Sequence, residues 1–96
     1  MKVMAVGTLK PLSQEQRERY LPAEVPATLQ LYLDGKIEQF WLRDHEVGVI
    51  FLMNVDSVKE ADRLLKALPL GHANLLTFEL MPIGPLLPLG MLMKPN

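Results

Sequence analysis

The sequence predicts a small α+β domain: four antiparallel strands with two helices on one face, in the order βαββαβ. Three observations carry that expectation. Ninety-six residues make one domain. Four stretches are either unbroken apolar runs or alternate with period two, as strands do. Two others repeat apolar residues every three or four positions, each behind a Ser-x-x-Gln/Glu capping signal.

Residues 2–9 (KVMAVGTL) carry no charge after Lys2 and stop at Lys10-Pro11, which suits a strand buried on both faces. Ser13 to Gln16 forms a capping box, and a helical segment follows to about Asp34, ended by Gly35. Leu21, Val25, Leu29 and Tyr32 form its expected inner stripe. Pro22 and Pro26 each remove a backbone bond at a cost of about 3 kcal/mol, so a kink or split near Leu21 is expected. Residues 37–43 alternate, with Glu38, Phe40 and Leu42 on one face and Ile37, Gln39, Trp41 and Arg43 on the other. Asp44-His45-Glu46 connects them to residues 47–55 (VGVIFLMNV), a central strand paired as an antiparallel hairpin. Ser57 to Glu60 is a second capping box, and Val58, Ala61, Leu64, Leu65 and Leu68 form the inner stripe of the helix that Pro69 ends. Residues 75–81 alternate again, Leu76, Phe78 and Leu80 against Thr77, Glu79 and Met81.

This order is the ferredoxin-like split pattern. Two helices cover one face of such a sheet. The other would carry Trp41, Met81 and much of strands 1 and 3, too apolar to stay in water. A second copy stacked sheet to sheet would close it into a barrel-like core with a cavity, so a homodimer or higher homo-oligomer is expected. Half the chain is hydrophobic (49%) with only six aromatic residues, an excess that an interface would absorb. Domain boundaries follow: 1–84 forms the domain, and the apolar tail 85–96, with Leu86, Leu87, Leu89, Met91 and Leu92, packs on the partner or over the cavity.

Composition narrows function by exclusion. Net charge is −1 with no basic cluster, which argues against a nucleic-acid partner. Absence of cysteine removes thiolate metal sites and thiol nucleophiles, and suits the cytoplasm. No signal peptide or membrane anchor is expected. Ser13 and Ser57, the only serines, both fit helix caps, and no His-x-x-x-His spacing occurs, so neither a serine nucleophile nor a metal or other cofactor is expected.

The polar residues on the face away from the helices are the candidate site. Glu79 would be a base, because a desolvated carboxylate suits proton abstraction next to a carbonyl. Arg43 would hold a substrate carboxylate or an enolate oxygen. Gln39, Trp41 and Thr77 would wall the pocket, and His45 and His72 are loop histidines placed to reach its mouth. The same Glu79 and Arg43 would alternatively form an ion pair across a subunit interface.

Leu68-Pro69-Leu70 after the second helix, Phe78-Glu79 in the last strand and the exit Pro82-Ile83-Gly84-Pro85-Leu86 are set off by Asp34-Gly35 before the Trp41 strand and Arg43 at its end. Over roughly 29–89 this set resembles the muconolactone isomerase-like branch of the dimeric α/β-barrel superfamily. The prolines of the first helix, the Asp44-His45-Glu46 loop and the prolyl tail depart from that pattern. The resemblance implies a cofactor-free isomerase acting on a small unsaturated lactone or carboxylated ring compound. The alternatives are a cofactor-independent oxygenase of the same fold, or a non-catalytic module that binds a small hydrophobic or aromatic-derived ligand or serves assembly.

Overall fold

The chain runs β1 (Lys2–Leu9), α1 (Gln14–Leu33), β2 (Ile37–Leu42), β3 (Gly48–Asn54), α2 (Val58–Lys66), α3 (Pro69–His72) and β4 (Leu76–Ile83). This computed structural model describes residues 1–84, so the expectation for the tail 85–96 lies outside the described residues. The strands form one antiparallel sheet of order β2-β3-β1-β4, the ferredoxin-like arrangement. The two apolar runs, β1 and β3, take the central places, as their composition requires.

Both long helices pack on the same side of the sheet. Val3 and Ala5 of β1, Phe51 and Met53 of β3 and Ile37 of β2 meet Ala61, Leu65 and Leu68 at and beyond α2 in one buried cluster. Burying each large apolar side chain there is worth about 1.5–3 kcal/mol. Ala27 and Leu31 bring the C-terminal half of α1 onto this cluster, and Phe78 and Leu80 bring β4. Gly7 is where the Phe78 ring lies against the sheet; a Cβ there would stand 2.7 Å from the ring.

Helix α1 is helical throughout, so of the expected kink or split near Leu21 the split does not occur. Pro22 and Pro26 are four residues apart and both exposed, so they share an outward face. The carbonyls they leave unpaired, on Glu18 and Pro22, also belong to exposed residues, on the side of the helix where solvent can satisfy them. The capping box at Ser13 is present in both arms. At the other end Gly35 takes φ 78°, the left-handed turn expected of it.

In β2 the alternation is interrupted. Ile37 pairs with Met53 and Gln39 with Leu52, leaving Glu38 as the extra residue of a bulge. Ile37 is thereby moved from the face of Gln39 and Trp41 to the helix-covered face, where it is 1% exposed. Glu38 instead meets Lys2 in an ion pair.

Two corrections concern α2 and its exit. Ser57 Oγ accepts the Glu60 N–H at 3.1 Å as expected, but Glu60 Oε1 returns to the Asp56 N–H at 3.1 Å, one residue before the cap. Pro69 opens a further short helix, α3, with Leu68 as its N-cap. Leu70 and Gly71 of α3 are buried.

Candidate functional site

The middle of α1, from Leu21 to Leu29, does not close fully onto the sheet. Between them lies a cavity of about 380 Å³, within the usual 300–1,000 Å³ range of small-molecule sites. Its floor is the helix-facing side of the sheet: Leu9 of β1, Phe40 and Leu42 of β2, Val49 and Phe51 of β3, and Leu76 of β4. Its roof is Leu21, Glu24, Val25, Thr28 and Leu29 of α1, and Leu70 of α3 closes one side. The stripe expected to be core, Leu21, Val25 and Leu29, is thus 37%, 55% and 47% exposed and walls the cavity instead. Tyr32, also half-exposed, meets Phe40 edge-on at 5.4 Å between ring centroids.

Glu24 is the one titratable residue among the described residues lining this cavity, and it is 6% exposed. Its Oε1 accepts the Leu70 backbone N–H at 2.9 Å, and its Oε2 accepts the Thr28 hydroxyl at 3.3 Å. Burying a carboxylate is tolerated only where such donors meet it. The α3 turn supplies the first donor, because the N–H groups of a helix's first turn have no partner within the helix. The second comes from one turn further along α1.

Glu24 was not among the residues singled out from the sequence. Its signal is there: Glu24, Ala27, Thr28 and Leu31 are spaced 3-1-3, a second possible inner face of α1 with a charge on it. The more apolar stripe through Leu21 and Val25 masks it.

The residues that were singled out lie elsewhere. Trp41, Ile50, Val6 and Glu79 form one cross-strand row on the face away from the helices. Trp41 and Glu79 stand at its two edges, about 14 Å apart at three strand spacings. Gln39 is exposed one row away, and Thr77 pairs with Thr8 in the row on the other side. Arg43 reaches from the end of β2 over Gly48 to β1, donating to Thr8 Oγ1 at 2.8 Å and more weakly to the Gly7 carbonyl at 3.4 Å, and it pairs with Glu46. Within one chain Arg43 and Glu79 are on opposite edges of the sheet and do not meet. His45 takes φ 68° in the β2–β3 turn, with Asp44 Oδ2 at 3.2 Å and its side chain 90% exposed. His72 ends α3 and is exposed. Among the described residues no three His, Asp or Glu side chains converge, and no helix is long and apolar enough to cross a membrane.

No family model and no curated protein matches the sequence. The fold does match. The chain is similar to 5-chloro-2-hydroxyhydroquinone dehydrochlorinase (TftG) from Burkholderia phenoliruptrix AC1100, whose structure holds 2,5-dihydroxybenzoquinone. The two agree with a TM-score of 0.68 at 17% identity, over 88% of this chain and 94% of that one. That likeness independently supports the ferredoxin-like α+β fold.

Proposed function

We propose that this protein is a muconolactone isomerase-like enzyme that moves a proton on a small, largely apolar ring compound without a cofactor. The carrying observation is the buried Glu24 carboxyl, the single titratable group among the described residues lining a largely apolar cavity. In a β,γ-unsaturated lactone or cyclic ketone, Glu24 takes the proton from the carbon between the carbonyl and the double bond. The electrons move into the ring as a dienolate, and the proton returns at the γ carbon. The double bond shifts, and no electron leaves the molecule. General base catalysis of this kind contributes about 10²–10⁴-fold. The cavity volume suits one ring with short substituents, and the fold neighbour's bound dihydroxybenzoquinone is of that size class.

The test is proton exchange. Unsaturated γ-lactones and cyclic enones are incubated with the protein in D₂O, and deuterium entering the ring is followed by NMR. Exchange that Glu24→Gln abolishes and Glu79→Gln leaves intact is expected. Exchange lost in Glu79→Gln but kept in Glu24→Gln would move the base to the outer sheet face. A compound that raises the melting temperature without exchange would favour the non-catalytic binding role.

A further inference from the structure

Beside the cavity lies a second hollow of about 430 Å³. It shares Leu9, Leu21 and Val47 with the cavity, so the two are neighbours across one apolar wall. Its remaining lining is Lys10, Pro11, Leu12 and Arg17, at the β1–α1 connection and the first turns of α1. No acidic side chain lines it among the described residues. Lys2, Lys36, Arg43, Arg63 and Lys66 each face a carboxylate; Lys10, Arg17, Arg19 and Lys59 face none among the described residues, and of these four only Lys10 and Arg17 line the hollow.

Helix α1 orders the two hollows. Arg17, Leu21, Glu24 and Thr28 are spaced 4-3-4 and run down one side of the helix. Arg17 and Glu24 are seven residues apart, about 10 Å along the axis, with Leu21 between them. The stripe therefore passes from an unpaired cation, over an apolar sill, to a buried carboxylate. A molecule about 10 Å long that is apolar at one end and anionic at the other matches it. An uncharged ligand would leave the two cations unused, and a cationic one would be repelled by them.

We infer that Lys10 and Arg17 form the anion-binding mouth of the cavity, which selects amphipathic anions with a ring body and a carboxylate, sulfonate or phenolate head. This rests on the cavity being the ligand site and adds the head group. The anion is held at the mouth, away from Glu24, because two like charges would not share the apolar chamber. Arg17 supplies a planar fork suited to a carboxylate or sulfonate, and Lys10 a mobile point charge. Partial exposure keeps the mouth open to solvent, so its attraction weakens with salt.

Two fluorescent probes with the same ring body separate the parts. 8-Anilinonaphthalene-1-sulfonate carries the anion, and N-phenyl-1-naphthylamine lacks it. The full-length protein, the double variant Lys10→Gln/Arg17→Gln and a filled-chamber variant, Val49→Trp, are titrated with each at low and high salt. Should Val49→Trp fail to fold, Leu29→Trp fills the same chamber from a half-exposed position. In the double variant a loss of about tenfold in sulfonate affinity is expected, with the neutral probe unchanged. Added salt should weaken the sulfonate alone. Both probes should be lost from the filled chamber. If the double variant binds the sulfonate as well as the wild type does, or weakens both probes equally, the anion mouth is overturned, and loss of both from the filled chamber still supports the chamber. If both filled-chamber variants keep both probes, the chamber reading falls, and the mouth falls with it.

Discussion

The Leu70 backbone N–H donates to Glu24 Oε1 at 2.9 Å across 46 positions of sequence, tying the α3 turn to the middle of α1 at the one carboxyl group among the described residues lining the cavity. One hydrogen bond thus serves both the fold and the site. It satisfies a donor of a residue that is 3% exposed, and it fixes one oxygen of the carboxylate so that the carboxyl plane cannot turn freely.

The two roles separate on substitution. Glu24→Gln keeps an oxygen to accept the Leu70 N–H, so stability should change little while ring-proton exchange is lost. Glu24→Ala leaves that N–H buried without a partner, a cost of about 1–3 kcal/mol. Urea unfolding of both variants, with amide exchange at Leu70, checks this. Equal stability of the two would mean that the bond contributes nothing to the fold.

Gly71 is the second support of this contact. A Cβ at Gly71 would run into the Leu65 carbonyl, which is backbone and cannot swing aside. Gly71→Ala should push α3 away from α2 and cost about 1–3 kcal/mol through overpacking. Because Leu70 moves with it, ligand affinity should fall as well. Gly84→Ala is the control, since a Cβ there meets no atom of the described residues within 4 Å. Melting curves that shift equally for both would exclude the clash.

How much of this was legible in the sequence depends on the residue. The alternation of β4 holds in the structure, because β4 pairs with β1 without interruption from Leu76 to Ile83. In β2 the same reasoning misplaced Ile37, because one extra residue at Glu38 reverses the alternation and nothing in the composition of a bulge announces it. Gln39, Trp41, Thr77 and Glu79 do share the face away from the helices, as their spacing implied. What spacing could not show is that Ala27 and Leu31 seat α1 on the core while Leu21, Val25 and Leu29, on the neighbouring side of the same helix, roof a cavity on the helix side within one chain. Packing of that kind depends on side-chain volumes across three elements, and a pattern read along one helix does not contain it.

Glu60 gives a pH prediction. The Asp56 backbone N–H, chiefly, and the neighbouring Lys36 and Arg63 hold its carboxyl below the ordinary glutamate value, although partial burial opposes them. A folded-state pKa below the unfolded one adds stability at pH values above the unfolded pKa, and that stability is lost as pH falls through the folded pKa. The wild type should therefore exceed Glu60→Gln in stability at pH 7, and the gap should close on acidification to about pH 3. Urea midpoints at both values measure it. A gap that widens in acid would contradict the direction.

Assembly is the last expectation, and it concerns the sheet face opposite the helices. Met4, Val6, Ile50 and Leu52 lie there half-buried in a single chain, with Trp41 and Met81 44% and 47% exposed beside them. Their positions in the cross-strand rows make this one continuous apolar strip across all four strands. Covering it with the same face of a second copy would bury up to six apolar side chains per subunit, each worth about 1.5–3 kcal/mol when fully buried. Rigid-body association costs about 4–15 kcal/mol, so even partial burial of the strip favours a dimer. Lys2 with Glu38 and Arg43 with Glu46 flank the strip as pairs that need not be desolvated at a rim, and Glu79, at the β4 end of the Trp41 row, is a rim charge without an ion-pair partner among the described residues. We expect a homodimer at micromolar concentration, an unfolding midpoint that rises with protein concentration, and Trp41 emission that shifts to the blue as the dimer forms. Trp41→Glu should give a folded monomer that still binds ligand under α1, because Trp41 does not line the cavity. Sedimentation showing a full-length wild-type monomer at tens of micromolar would rule this interface out.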